Sequence, residues 1–216
     1  MHMCATYETA PREQIAEFWK VDPREYEFKP VIYPGYMAPI IRPIGDQLEV
    51  VSAMFGMVPY WAKDTKIARN TYNSRSETTA EKPSFRNAWK RAQFCIIPAA
   101  TIYEPCYETG KAVQWGIKSV DGAPFGIAGI WDVKHGEPDL VSFSMLTINA
   151  DGDPLMQRFH KPEDEKRMVV ILRPDQYDEW LQCPMDAAPE YFQRYPAEKM
   201  VAHPSPKSKP VIVTKE

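Results

Sequence analysis

Apolar residues recur along the chain in two rhythms. Over residues 11–21, Ile15, Phe18 and Trp19 fall at helical spacing behind Thr9, a cap candidate, with Pro11 in the first turn. Residues 84–92 repeat the pattern with Phe85, Ala88 and Trp89 inward, which turns the basic residues of that helix outward. Residues 175–182, opened by Pro174, predict a third helix, and 153–159 a short one. The other apolar runs are too short for helices and rich in Val, Ile and aromatics. They predict strands at 47–55, 94–97, 101–107, 113–118, 125–131, 140–149 and 168–172. The fold expected is α+β and strand-rich, an antiparallel or mixed sheet curled into a barrel-like core with peripheral helices.

The chain is large enough to bury a full core: 216 residues, 44% hydrophobic and 12% aromatic. No repeat, low-complexity tract or Gly/Ser linker divides it, and its 21 prolines punctuate many short elements, so a single domain over 1–216 is expected. No stretch approaches the roughly 20 apolar residues of a membrane span, and the start lacks a signal peptide's basic and apolar regions. A cytoplasmic protein with no membrane partner is the expectation. Cys4, Cys95, Cys106 and Cys183 show neither paired spacing nor histidines at zinc-finger distance, so reduced thiols and no metal site are expected. Met1-His2-Met3 reads as a cloning remnant ahead of a natural start at Met3, after which Cys4 becomes the effective N-terminus.

A formal net charge of -3 argues against coating duplex DNA by bulk electrostatics. The charge is uneven, however: from Lys63 to Arg91 eight basic residues face three acidic ones, a local +5 against -8 elsewhere. An anionic ligand would find its site there, although a solvated helix face explains the same run. Nucleotide-binding loops, zinc-protease and serine-hydrolase signatures are absent. Three polar residues stand out instead. Asn73 fits a turn or cap, Glu104 an outward-facing strand position, an edge or a strand end, and His160 a helix C-terminus, and each is also a candidate for chemistry.

In order, the segments resemble a family. Met3-Cys4 opens the match, followed by Gly35-Tyr36-Met37-Ala38-Pro39, Phe55-Gly56-Met57-Val58-Pro59-Tyr60-Trp61 and Asn73-Ser74-Arg75-Ser76-Glu77-Thr78. Cys95-Ile96-Ile97-Pro98-Ala99, Tyr103-Glu104, Ala128-Gly129-Ile130-Trp131, Thr147-Ile148-Asn149-Ala150, His160 and Arg167-Met168 complete it. The chain thus resembles the SRAP family, the SOS response-associated peptidases, also described as abasic-site processing proteins.

That resemblance implies covalent capture of abasic sites in single-stranded DNA. Cys4 would be the nucleophile, Glu104 the group that moves protons, Asn73 the orienter and His160 a second acid or base. Arg75 and Arg69 would hold phosphates, with Trp61, Tyr36 and Pro39 against the strand. No cofactor or metal is implied, and a monomer is favoured. The chain departs from the family pattern at Thr6, Met37, Pro105 and Val169, and six residues separate His160 from Arg167. A thinner set of DNA contacts is the consequence. Two other readings use the same residues: a thiol peptidase or self-processing hydrolase built on Cys4, His160 and Glu104, and a non-catalytic module binding single-stranded nucleic acid through the basic segment.

Overall fold

The computed structural model describes residues 5–23 and 27–205. Twelve strands form one sheet, numbered here β1 (Thr6–Thr9), β2 (Val31–Ile32), β3 (Met37–Ile44), β4 (Gln47–Phe55), β5 (Asn73–Arg75), β6 (Phe94–Cys106), β7 (Val113–Ser119), β8 (Phe125–Lys134), β9 (Leu140–Asn149), β10 (Arg167–Val169), β11 (Ile171–Leu172) and β12 (Met200–Pro204). The helices α1 (Arg12–Trp19), α2 (Arg86–Lys90) and α3 (Tyr177–Gln182) lie outside it. The strand-rich α+β class expected from the sequence is the one observed.

Five strands close on themselves. The hairpin β3–β4 turns at Gly45-Asp46, where Gly45 supplies the positive φ of a two-residue loop. β4 joins β9 in parallel through Phe55 and Phe143, β9 joins β8, β8 joins β6 from Phe94 to Ala99, and β6 returns to β3 at Ile41 and Ile96. The ring closes through short ladders, one residue pair between β3 and β6 and two between β4 and β9, which curl the sheet around its core. Phe55 stacks on Phe143 and meets Tyr7 and Tyr72 edge-on inside this core. α3 covers one side, with Trp180 fully buried against Phe94 and its indole N–H donating to the Cys95 carbonyl.

β6 connects barrel to site. The runs 94–97 and 101–107, expected as two strands, are one strand of 13 residues that passes through Pro98 and Pro105. Its first half belongs to the barrel. Its second half leaves it, pairing with β1 on one side (Thr6 with Tyr103) and β7 on the other (Glu104 with Trp115). The expected helix at 84–92 is confined to the five residues of α2, and 153–159 contains only a 3-10 turn at Met156–Arg158. No helix among the described residues is long and apolar enough to cross a membrane.

Candidate active site

Glu104 lies on β6 opposite Trp115 of β7, one residue past the Tyr103 that pairs with β1. The outward-facing reading of its strand position is wrong, because Glu104 is 2% exposed. Beneath it is a cavity of about 10 Å³, bounded by Ile102, Ile117, Met156, Met168 and Val169 among others, so apolar groups surround the carboxylate on that side. A charged or shared proton here acts through a lower dielectric than at the surface, which strengthens its pull on a neighbouring polar group.

That neighbour is His160. Its Nε2 stands 3.5 Å from Glu104 Oε2, and the residue is 5% exposed. The contact spans 56 positions of sequence and is built by the backbone. Phe159 forms a bridge to Cys106, and the His160 N–H donates to the Pro105 carbonyl at 2.8 Å. The 3-10 turn before it is capped by Asp153, whose Oδ1 accepts from the N–H groups of Leu155 and Met156. Arg158 fastens the turn from outside, paired with Glu108 and lying over the Trp115 ring. His160 itself has a φ of 62°, a left-handed conformation that costs a non-glycine residue about 1–2 kcal/mol. The anchored flanks hold it there. A strained backbone tied to an aimed imidazole is a pattern of functional sites.

Asn73 occupies a strand, where a turn or cap was the bland expectation. β5 runs parallel to β9, with Asn73 opposite Met145, and continues the line in which β4 leaves off at Phe55. The carboxamide oxygen of Asn73 is buried. β10 borders the same strand, with Met168 opposite Ile148, and Met168 also lines the cavity under Glu104. Asn73 is thus carried on β5, which adjoins β9, and Glu104 on β6, which pairs with β8, the other neighbour of β9; His160 lies in the bend after the 3-10 turn. Cys4 lies outside the described residues.

The basic run is less free than its charge count suggests. Arg75 is paired with Glu165 at 3.0 Å, Arg91 with Asp132 at 2.7 Å and Lys66 with Asp64 at 3.9 Å. Arg69 is exposed at the end of the 3-10 segment Thr65–Asn70. Trp61 is 45% exposed, and Tyr36 lies edge-on to Tyr33 with the Lys29 ammonium over its ring. Pro39, by contrast, is buried within β3.

A second polar centre is not evident in the sequence. Arg167, 1% exposed, donates through Nη1 and Nη2 to both oxygens of Glu77, to Glu165 Oε1, and to the Thr147 carbonyl and hydroxyl. The hydrogen bonds from Arg167 hold both carboxyls below their ordinary range. The sequence signal was the alternation Glu165-Lys166-Arg167 leading into a buried strand, which puts two charges on one face. Among the described residues no group of His, Cys, Asp or Glu is arranged to hold a metal ion.

Comparison with known proteins identifies the fold and its family. The SOS response associated peptidase (SRAP) family matches residues 3–208, and the chain belongs to that family. Two Bacillus subtilis proteins, the abasic site processing proteins YoaM and YoqW, are each 34% identical over 157 residues, 69% of this chain. The aligned region spans 65% of the first and 66% of the second. A Bordetella bronchiseptica protein of known crystal structure superposes with a TM-score of 0.85 at 39% identity, covering 94% of this chain and 99% of its own. A Bacteroides thetaiotaomicron protein shares the fold, with a TM-score of 0.77 at 22% identity, covering 93% and 91%.

Proposed function

We propose that this chain processes abasic sites in single-stranded DNA by trapping the ring-opened sugar on Cys4. The observation that carries the reading is the buried contact between Glu104 and His160, 3.5 Å apart, one residue along β6 from the Tyr103 that pairs with Thr6. The relatives named as abasic site processing proteins supply the substrate.

The chemistry follows from the groups. An abasic sugar equilibrates with an open-chain aldehyde. The α-amine of an N-terminal cysteine condenses with it, releasing water and forming an imine, and the thiolate then adds to the imine carbon to close a five-membered thiazolidine. Reference pKa values of about 7.7–8.0 for the amine and about 8.5 for the thiol put both nucleophilic forms within reach near neutrality. Proton transfers are needed at three points: ring opening, loss of water, and protonation of the nitrogen as sulfur adds. A carboxyl and an imidazole in contact can pass a proton between sugar and amine, with Asn73 holding a sugar oxygen. Arg75 and Arg69 would meet phosphates, and Trp61 and Tyr36 offer exposed rings for stacking.

The test uses protein whose chain begins at Cys4 and a single-stranded oligonucleotide with one abasic site, read as a heat-stable adduct on a denaturing gel. Cys4→Ala abolishes the adduct, retention of Met1-His2-Met3 prevents it, and Glu104→Gln slows it by about 10²–10⁴-fold. An adduct that survives Cys4→Ala refutes the reading.

A further inference from the structure

Three donors from three strands converge on one carboxylate. Glu165 accepts from Arg75 Nη1 at 3.0 Å through Oε2, and from Arg167 Nη1 at 2.9 Å and Asn149 Nδ2 at 3.2 Å through Oε1. Arg75 belongs to β5, Asn149 to β9 and Arg167 to β10, whereas the carboxylate comes from the segment 161–166 that leads out of His160. The framework supplies the donors and a connecting segment supplies the acceptor.

The two carboxylates of this cluster are not equivalent. Glu77 takes a two-pronged grip from the buried Arg167. Glu165 instead bridges to Arg75, and in that pair the side chains are 36% and 31% exposed. Removing the Glu165 carboxylate takes the shared acceptor from Arg75 Nη1, Arg167 Nη1 and Asn149 Nδ2, three N–H donors aimed at one partly solvated point. An oxyanion with several acceptor oxygens suits that seat, and a phosphodiester meets guanidinium donors in the same geometry as a carboxylate.

We propose that Glu165 is an internal occupant of a phosphate seat formed by Arg75, Arg167 and Asn149, and that a phosphate of the bound strand must displace it. The seat deepens the single-stranded DNA reading and rests on it. The pair with Arg75 is partly exposed and such pairs are weak, so Glu165 lowers affinity by a modest factor and does not close the site. It also discriminates: ligands without an anion at this point gain nothing from opening the pair.

The experiment measures binding of an unmodified single-stranded oligonucleotide to wild type, Glu165→Gln and Glu163→Gln, with inorganic phosphate as a second probe. Glu163 is an exposed residue of the same segment and controls for general electrostatics. Glu165→Gln is expected to bind the oligonucleotide about three- to five-fold more tightly at low salt, with a salt dependence steeper by up to about 0.7 in log–log slope. Glu163→Gln stays near wild type. In an Arg75→Gln background the gain from Glu165→Gln disappears, as direct coupling requires. Inorganic phosphate raises the melting temperature of Glu165→Gln more than that of wild type. If Glu165→Gln does not fold, Glu165→Asp, which keeps the charge and withdraws the carboxylate, gives an intermediate gain.

Equal affinities for wild type and Glu165→Gln, or a gain that persists without Arg75, overturn the displaceable seat while leaving crosslinking through Cys4 intact. A gain toward phosphate with no oligonucleotide binding by any variant overturns the DNA reading itself.

Discussion

Replacing Arg167 with Met tests whether the buried guanidinium holds the β5, β9 and β10 strands together. Met keeps most of the stem volume and removes the charged head. Five hydrogen bonds are lost, to Glu77 Oε1 and Oε2, Glu165 Oε1, and Thr147 O and Oγ1. The costs are uneven. Both carboxylates are partly exposed and regain water, and the Thr147 carbonyl keeps the Ser76 N–H as a donor. The loss therefore falls below the sum of five charge-assisted bonds. About 2–4 kcal/mol is expected from the buried head alone, or a fall in melting temperature of about 4–16 °C at 2–4 °C per kcal/mol for a domain of this size. The pH dependence gives a second, independent reading. The folded-state pKa values of Glu77 and Glu165 lie below their ordinary values, so the folded protein binds fewer protons than the unfolded chain between the two. Their contribution to stability is complete above the unfolded carboxylate pKa of about 4.3 and is lost as pH falls through the lowered values. Wild type is expected to lose stability below about pH 5 more steeply than Arg167→Met. Thermal denaturation from pH 7 to pH 3 measures both. Equal melting temperatures at pH 7 together with parallel acid limbs would refute the argument.

Two further outcomes are expected. Gly56 has a φ of 111°, and a Cβ there would lie 2.2 Å from the Ala68 carbonyl oxygen and 2.6 Å from its Cα. Gly56→Ala is expected to cost about 3 kcal/mol or more, seen as a lower urea midpoint, because it pushes the Thr65–Asn70 segment off the barrel; an unchanged midpoint contradicts that packing. Burial pushes the Cys183 thiol up to about 11 and that of Cys95 higher still, and Cys106 is buried with them. With a disulfide reagent at pH 7.5, native protein beginning at Cys4 is expected to show one fast thiol and Cys4→Ala none; a fast thiol in Cys4→Ala would place the reactivity elsewhere.

Local patterning was enough to read much of the sheet. The run 140–149 became β9 with the same limits, and the α+β class followed from short β-branched runs among a few helical ones. β3 is hidden in the sequence because Pro39 and Pro43 speak against a strand, and yet both sit in its ladder, opposite Ser52 and Leu48. Pro98 likewise reads as a break inside what is one strand, β6. β1, β2 and β12 are short and carry little periodicity of their own.

At the site, residue types and order were legible, and through the family resemblance Asn73, Glu104 and His160 could be named. Their surroundings were not. Periodicity reports which face of an element meets the core, but it says nothing of which distant element arrives there. Only closure of the barrel sends the second half of β6 outward, brings Phe159 against Cys106, and so sets His160 beside Glu104 in a buried contact. The same closure aligns β5, β9 and β10 so that Arg75, Asn149 and Arg167 share one carboxylate. Charges counted along the chain make residues 63–91 +5, and tertiary pairing of Arg75 with Glu165 and of Arg91 with Asp132 decides how much of that charge a ligand meets.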